Sequence, residues 1–113
     1  MMFLGGMLSP FEGGEFANWI KVYLRSCDGG AFMGDRDPVS YKKSKLHFKG
    51  SVNTVETFNY LKAKGYLSNK KQILISGSYD GALAAMQWAN VLKTYTSVPV
   101  KLHLDAGLYL NRP

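Results

Sequence analysis

The sequence predicts an α/β fold, a mostly parallel sheet with flanking helices, and an incomplete one. Three observations carry this. Its segments run strand, strand, helix, strand, helix, strand, and strands alternating with helices form βαβ units around a parallel sheet. The run Ile73-Leu74-Ile75 is continuously apolar, which suits a strand buried on both faces of such a sheet. The chain has 113 residues, so residues 1–113 are expected to form a single partial domain without the full complement of strands and loops.

Residues 1–18 are rich in Gly, Pro and Phe and read as irregular. Ile20, Val22 and Leu24 alternate with Lys21, Tyr23 and Arg25, and that period of two predicts a strand over 20–25. Cys27-Asp28-Gly29-Gly30 closes it with turn chemistry. Residues 31–44 carry Gly34, Asp35, Asp37 and Pro38 and read as a loop. Leu46 and Phe48 flank His47 in a second strand, near 45–49, closed by Gly50. A helix is predicted over 51–64. Ser51 is its candidate N-cap, Val52, Val55, Phe58 and Leu61 recur at helical spacing, and Gly65 suits the C′ position. The third strand is predicted over 72–76. Gly77 to Gly81 is a tight turn, and strong helix formers follow over 81–94, with Leu83, Met86 and Val91 among the apolar ones. Val98, Val100, Leu102 and Leu104 alternate into a last strand near 99–104, ending at Asp105-Ala106-Gly107.

Composition narrows the classes. The chain is 46% hydrophobic and 19% charged, which fits a globular protein and excludes a disordered one. Its net charge of +6 sits largely in Lys42, Lys43, Lys45 and Lys49, then in Lys62, Lys64, Lys70 and Lys71. No aromatic or glycine pattern of an RNA-binding module accompanies these lysines, so they read as solvated element ends rather than a nucleic-acid surface. Cys27 is the single cysteine. It permits no intrachain disulfide and no paired-cysteine metal site, and no cofactor is called for. Met1 to Leu8 is apolar but lacks a basic region and a cleavage site, so it is not read as a signal peptide. No run reaches the roughly 18 apolar residues of a membrane span.

The chemically informative stretch is Ile73-Leu74-Ile75-Ser76-Gly77-Ser78-Tyr79-Asp80-Gly81-Ala82. A buried strand leads through Gly-x-x-x-Gly into a helix, which is the setting of a nucleophile elbow. There the nucleophile occupies the tip of a strained turn. The glycines two before and two after it let helix and strand pack closely, and the helix N-terminus presents free N–H groups to a developing oxyanion. The tip position holds Tyr79.

Several ordered stretches extend the comparison. They are Phe3-Leu4-Gly5-Gly6-Met7-Leu8-Ser9, Phe16-Ala17-Asn18-Trp19, Tyr23 to Phe32 with Cys27-Asp28-Gly29 inside, Leu46-His47-Phe48-Lys49-Gly50, the Gly77–Gly81 turn, and Leu104-Asp105-Ala106-Gly107. In order and spacing they resemble the pectin acetylesterase and Notum family of carboxylesterases, including its LHFRG, SGCSAGG and ADAG segments. The resemblance covers nearly the whole chain. It implies an α/β-hydrolase-like fold and a serine esterase with a Ser-His-Asp triad, usually secreted. The implied substrates are acetylated polysaccharide or acylated protein.

Carried over residue by residue, the family's serine falls on Tyr79. Asp80 takes the position whose backbone N–H donates to the oxyanion. The family's GGGW oxyanion motif and its triad Asp and His have no counterpart in these 113 residues. The chain is therefore expected to be a truncated, catalytically impaired relative, or else a non-catalytic module that keeps a pocket for carbohydrate or an acyl group. Cys27 would be a disulfide partner in a full-length extracellular relative.

Other residues carry groups capable of the same chemistry. A phenol with its pKa near 10 is an exceptional nucleophile, so Tyr79 reads as a substituted tip whose ring covers the former pocket. Ser78 lies one residue before the tip, and its hydroxyl is expected to point away from the nucleophile's direction. His47 and His103 fall inside predicted strands and read as structural, with His103 on the face of Lys101, opposite Leu102 and Leu104. Asp105 reads as part of a turn, and Trp19 and Trp88 as packing residues.

Overall fold

A computed structural model describes residues 8, 9, 11 and 14–107. The expected motif at Phe3–Met7 lies outside the described residues. A short 3-10 turn spans Gly14–Phe16. Strands β1 (Val39–Tyr41) and β2 (Ser44–Leu46) precede helix α1 (Gly50–Ala63). Strand β3 (Ile73–Ser78), helix α2 (Asp80–Tyr95) and strand β4 (Val100–Asp105) complete it.

β3 and β4 pair in parallel, with Ile73 opposite Val100 and Ser78 opposite Asp105. Parallel neighbours cannot be joined by a tight turn, and α2 supplies the crossover. This βαβ unit is the α/β architecture that the alternation of patterns predicts. The helix lies across both strands, and small residues let it approach. Ala82, Ala85 and Ala89 are buried, as is Leu92. The buried stripe of α2 is thus built mainly from alanine, whereas Met86 and Val91 are exposed and Leu83 is half-buried. Apolar character alone did not identify the inward face, because the close strand–helix approach selects for size.

The core is small. Phe58 of α1, Leu67 and Leu92 of α2 form its centre, flanked by Leu61, Ile73, Ile75, Trp88, Tyr95 and Val100. Phe58 meets Trp88 and Tyr95 edge-on, with ring centroids 6.0 and 5.5 Å apart, a geometry aromatic quadrupoles favour. The Trp88 indole N–H also donates to the Phe32 carbonyl at 3.1 Å, which ties the 31–34 loop to α2. Trp19 packs edge-on against Phe16 at 5.0 Å.

α1 ends as its sequence predicts. Gly65 has φ +76°, and the N–H groups of Gly65 and Tyr66 donate to Lys62 and Leu61 carbonyls at 3.0 and 2.9 Å. This is a Schellman closure, which needs a left-handed residue at C′. The start differs from expectation. Ser51 lies inside the helix, and its hydroxyl donates to the Gly34 carbonyl. The cap comes instead from Asp28, 22 residues upstream, whose Oδ2 accepts the Gly50 N–H at 3.0 Å. Its Oδ1 accepts the Gly30 N–H at 2.8 Å. Gly50 is tightly placed, because an added Cβ would lie 2.8 Å from the Phe32 Cα.

Three strand expectations need correction. Residues 20–25 form no strand, and Ile20 and Val22 are exposed. Alternation favours an extended chain, but a strand also requires a neighbour for its backbone groups, and this segment has none among the described residues. The strand expected near 45–49 is shifted to Ser44–Leu46, and it pairs antiparallel with β1 rather than joining the parallel sheet. The two-residue turn Lys42-Lys43 makes that hairpin, with φ +53° at Lys42. Finally, β3 is buried on one face only. Ile73, Leu74 and Ile75 are half-buried while Ser76 and Ser78 are exposed, because α2 covers just one side of the two-stranded sheet.

Candidate functional site

The β3–α2 turn is where the sheet, the helix and the strain meet. Tyr79 is the residue between them, with φ +51° and ψ −120°. A non-glycine residue there stores backbone strain of about 1–3 kcal/mol, and it persists only where its surroundings over-determine it. They do so here on three sides. The Tyr79 N–H donates to the Asp105 carbonyl at 3.2 Å, which holds the tip to the end of β4. The Tyr79 carbonyl accepts the N–H groups of Ala82 and Leu83 at 2.9 and 3.3 Å, closing the first turn of α2. Gly77 then lets the helix fold back onto the strand. A Cβ on Gly77 would lie 1.9 Å from the Gly81 carbonyl oxygen and 2.7 Å from the Ala82 nitrogen, so only glycine fits.

The second glycine acts differently from expectation. A Cβ at Gly81 would meet open space. It is the backbone of Gly81, not the lack of a side chain there, that crowds Gly77. The steric need recurs instead at Gly107, where a Cβ would lie 2.6 Å from the Ala82 Cβ. The Asp105-Ala106-Gly107 segment thus packs against the first turn of α2, and Ala106 has φ +51° as the chain turns.

Tyr79 is 73% exposed. Its ring therefore stands out from the turn and does not cover a pocket, contrary to expectation, since the strained backbone projects the side chain away from both sheet and helix. Asp80 begins α2. The first N–H groups of a helix have no intrahelical acceptor, so Asp80 and Gly81 present theirs at the tip. The Asp80 carboxylate lies in the first turn of α2, where a negative charge suits the helix N-terminus.

Ser78 ends β3, and its hydroxyl donates to Asp105 Oδ2 across the sheet at 3.0 Å. Two pairs back along the same register, and so on the same face, the Ser76 hydroxyl lies 2.8 Å from His103 Nδ1. Ser76, Ser78, His103 and Asp105 thus line the uncovered face of the parallel pair. The structure brings these hydroxyls to an imidazole and a carboxylate, but as neighbouring cross-strand couples. Asp105 therefore has a bonding role in addition to its place before the turn. The cross-strand couples could not be read from sequence, because they depend on the β3–β4 register.

His47 lies elsewhere, past the end of β2. With Cys27, Arg25 and Lys49 it lines a cavity of about 410 Å³ beside the start of α1. Among the described residues no group of three or more His, Cys, Asp or Glu could hold a metal ion, and no helix is long and apolar enough to cross a membrane.

Comparison with known proteins places the chain among sequences of one kind. The family model described as Pectinacetylesterase matches residues 4–113. Pectin acetylesterase 11 of Arabidopsis thaliana is 34% identical over 110 residues, covering 96% of this chain and 27% of the relative. Pectin acetylesterase 5 of the same plant is 31% identical over 112 residues, covering 96% of this chain and 26% of the relative. The chain therefore spans about a quarter of the length of these relatives. No solved structure matches it significantly.

Proposed function

The chain belongs to the pectinacetylesterase family, and from that membership we propose that it carries the elbow of a carboxylic ester hydrolase in a catalytically impaired form. The observation that carries this reading is the backbone of Tyr79, φ +51° and ψ −120°. The strained tip is present, and a phenol occupies it instead of an activated hydroxyl. The substrate class we assign to the parent activity is acetylated polysaccharide, after the names of the relatives. An acyl group on a protein is the alternative that the resemblance allows. Residues 1–113 would form one partial domain of such an enzyme.

The local chemistry supports impairment. A serine nucleophile needs a base within hydrogen-bond reach, oriented by a third group. His103 is bonded to Ser76, three residues before the tip, and His47 lies in the cavity beside α1. The hydroxyl of Ser78 is held by Asp105, a carboxylate without an imidazole between them. Tyr79→Ser tests this arrangement. It restores a hydroxyl at the tip, and we expect the hydrolysis of p-nitrophenyl acetate to rise less than about tenfold. A gain of a hundredfold or more would show that a base and an oxyanion site are already in place, and the impaired reading would fail. Turnover by the unmodified chain that disappears only in Ser78→Ala would instead move the nucleophile one residue upstream.

The second reading is a binding module without catalysis. It is favoured by one feature, the cavity beside α1 with Arg25, His47 and Lys49 in its lining, which does not involve the elbow.

A further inference from the structure

β4 leaves most of its surface unused. Five of its six residues, Lys101 to Asp105, are exposed, although it alternates apolar and polar residues as a half-buried strand does. Leu102 and Leu104 share the face of Val100, which packs on the core, yet they are 45% and 38% exposed. The outer edge of β4 is open too. The Ile73 and Tyr79 N–H groups donate to the Pro99 and Asp105 carbonyls, so the odd-numbered residues turn their backbone groups towards β3. Those of Val100, Leu102 and Leu104 therefore turn outward, where no strand meets them among the described residues.

The sequence along this edge is complementary to itself. Lys101-Leu102-His103-Leu104-Asp105 runs cation, leucine, histidine, leucine, anion. Reversed against a second copy and centred on His103, it sets Lys101 opposite the second copy's Asp105. Leu102 then meets the second copy's Leu104, and symmetry makes each pair twice. The outward backbone groups of the leucines form the hydrogen-bonded pairs. His103 and both ion pairs fall at non-hydrogen-bonded positions, where opposed side chains are closest. Both charges are available. Lys101 has no ion pair among the described residues, and Ser78 occupies only Oδ2 of Asp105. Centring the pair on Leu102 would keep the backbone pattern but set Lys101 against His103 and Asp105 against Pro99, without either ion pair. The outer edge of β3 has no such complementarity, because Ile73–Ser78 holds no charged residue and Gly77 weakens a strand.

We propose that the outer edge of β4 is an interface with a second copy of this chain, paired antiparallel about a two-fold axis at His103. Each copy presents the same patch, so the contact closes as a dimer, and two two-stranded sheets become one of four strands. Backbone bonds and leucines hold the pair together, and the charges fix its register. The inference stands on strand geometry and does not depend on the reading of the elbow.

Sedimentation velocity of the full chain, of Lys101→Asp and of Asp105→Lys tests the charges. The parent is expected to reach a dimer and no larger species as its concentration rises. Each variant alone should dimerise about tenfold more weakly, because two attractive cross-strand pairs become repulsive. An equimolar mixture should dimerise within about threefold of the parent, since one chain then presents two acids and the other two lysines. Cross-linking tests the register without altering either charge. In a Cys27→Ser background, His103→Cys should oxidise to an intermolecular disulfide, because its opposed Cα atoms would lie about 4.5 Å apart. Leu102→Cys should cross-link far more slowly. A parent chain that stays monomeric or grows into open-ended assemblies would overturn the proposal. So would a Lys101→Asp dimer as tight as the parent's, a mixture no tighter than either variant alone, or faster cross-linking through Leu102→Cys than through His103→Cys.

Discussion

Gly77 and Tyr79 define the elbow in opposite ways. Gly77 is required for space. Gly77→Ala would drive a Cβ to 1.9 Å from the Gly81 carbonyl oxygen, a contact only backbone movement can relieve. We expect it to cost about 3 kcal/mol or more, read as a fall in the urea midpoint. Tyr79 is tolerated despite strain. Tyr79→Gly should release about 1–3 kcal/mol of backbone strain against a glycine entropy cost of about 0.5–1 kcal/mol. The same urea titration should therefore show a net gain of about 1 kcal/mol, and a loss would mean that the φ of +51° is not strained. The glycine spacing was legible in the sequence, as were the strand before it and the helix after it. The different duties of Gly77 and Gly81 were not, because they depend on how closely α2 folds back on β3. The exposure of the Tyr79 ring was missed for a similar reason, since direction follows from ψ as much as from sequence position.

Helices and strands were legible to different degrees. α1, β3, α2 and β4 fall within about two residues of their expected bounds, because helical periodicity, the glycine C-cap and a continuous apolar run are local signals. The 20–25 strand failed because pairing is not local. The N-cap of α1 failed in the same way. Ser51 is a good cap by type, yet Asp28 reaches the helix start from 22 residues away. That bond can be tested by itself. Asp28→Ala removes the acceptor of both the Gly30 and Gly50 N–H groups, and we expect a loss of about 1–2 kcal/mol in urea unfolding. Asp28→Asn keeps one acceptor oxygen and should lose about half as much. Equal stability of Asp28→Ala and the parent would show that α1 is capped by other groups.

The described chain is an open piece of α/β architecture at the level of the whole molecule. β3 pairs only with β4 among the described residues, so each has an unpaired edge, and one face of the pair carries Ser76, Ser78, His103 and Asp105 without a covering element. Leu102 and Leu104 are also exposed. Edges of this kind recruit further strands, and the chain should self-associate as its concentration rises. Sedimentation velocity should show this, and Leu102→Lys should suppress it. A chain that stays monomeric at high concentration would contradict the open-edge account. Catalysis also belongs to this level, since it needs nucleophile, base and oxyanion donors assembled at one place. The most direct test is the steady-state hydrolysis of p-nitrophenyl acetate by the folded chain, compared with Tyr79→Phe and with a denatured sample. The account predicts the same background rate in all three. Turnover by the parent chain that is lost in Tyr79→Phe would make the tyrosine a working nucleophile and contradict it.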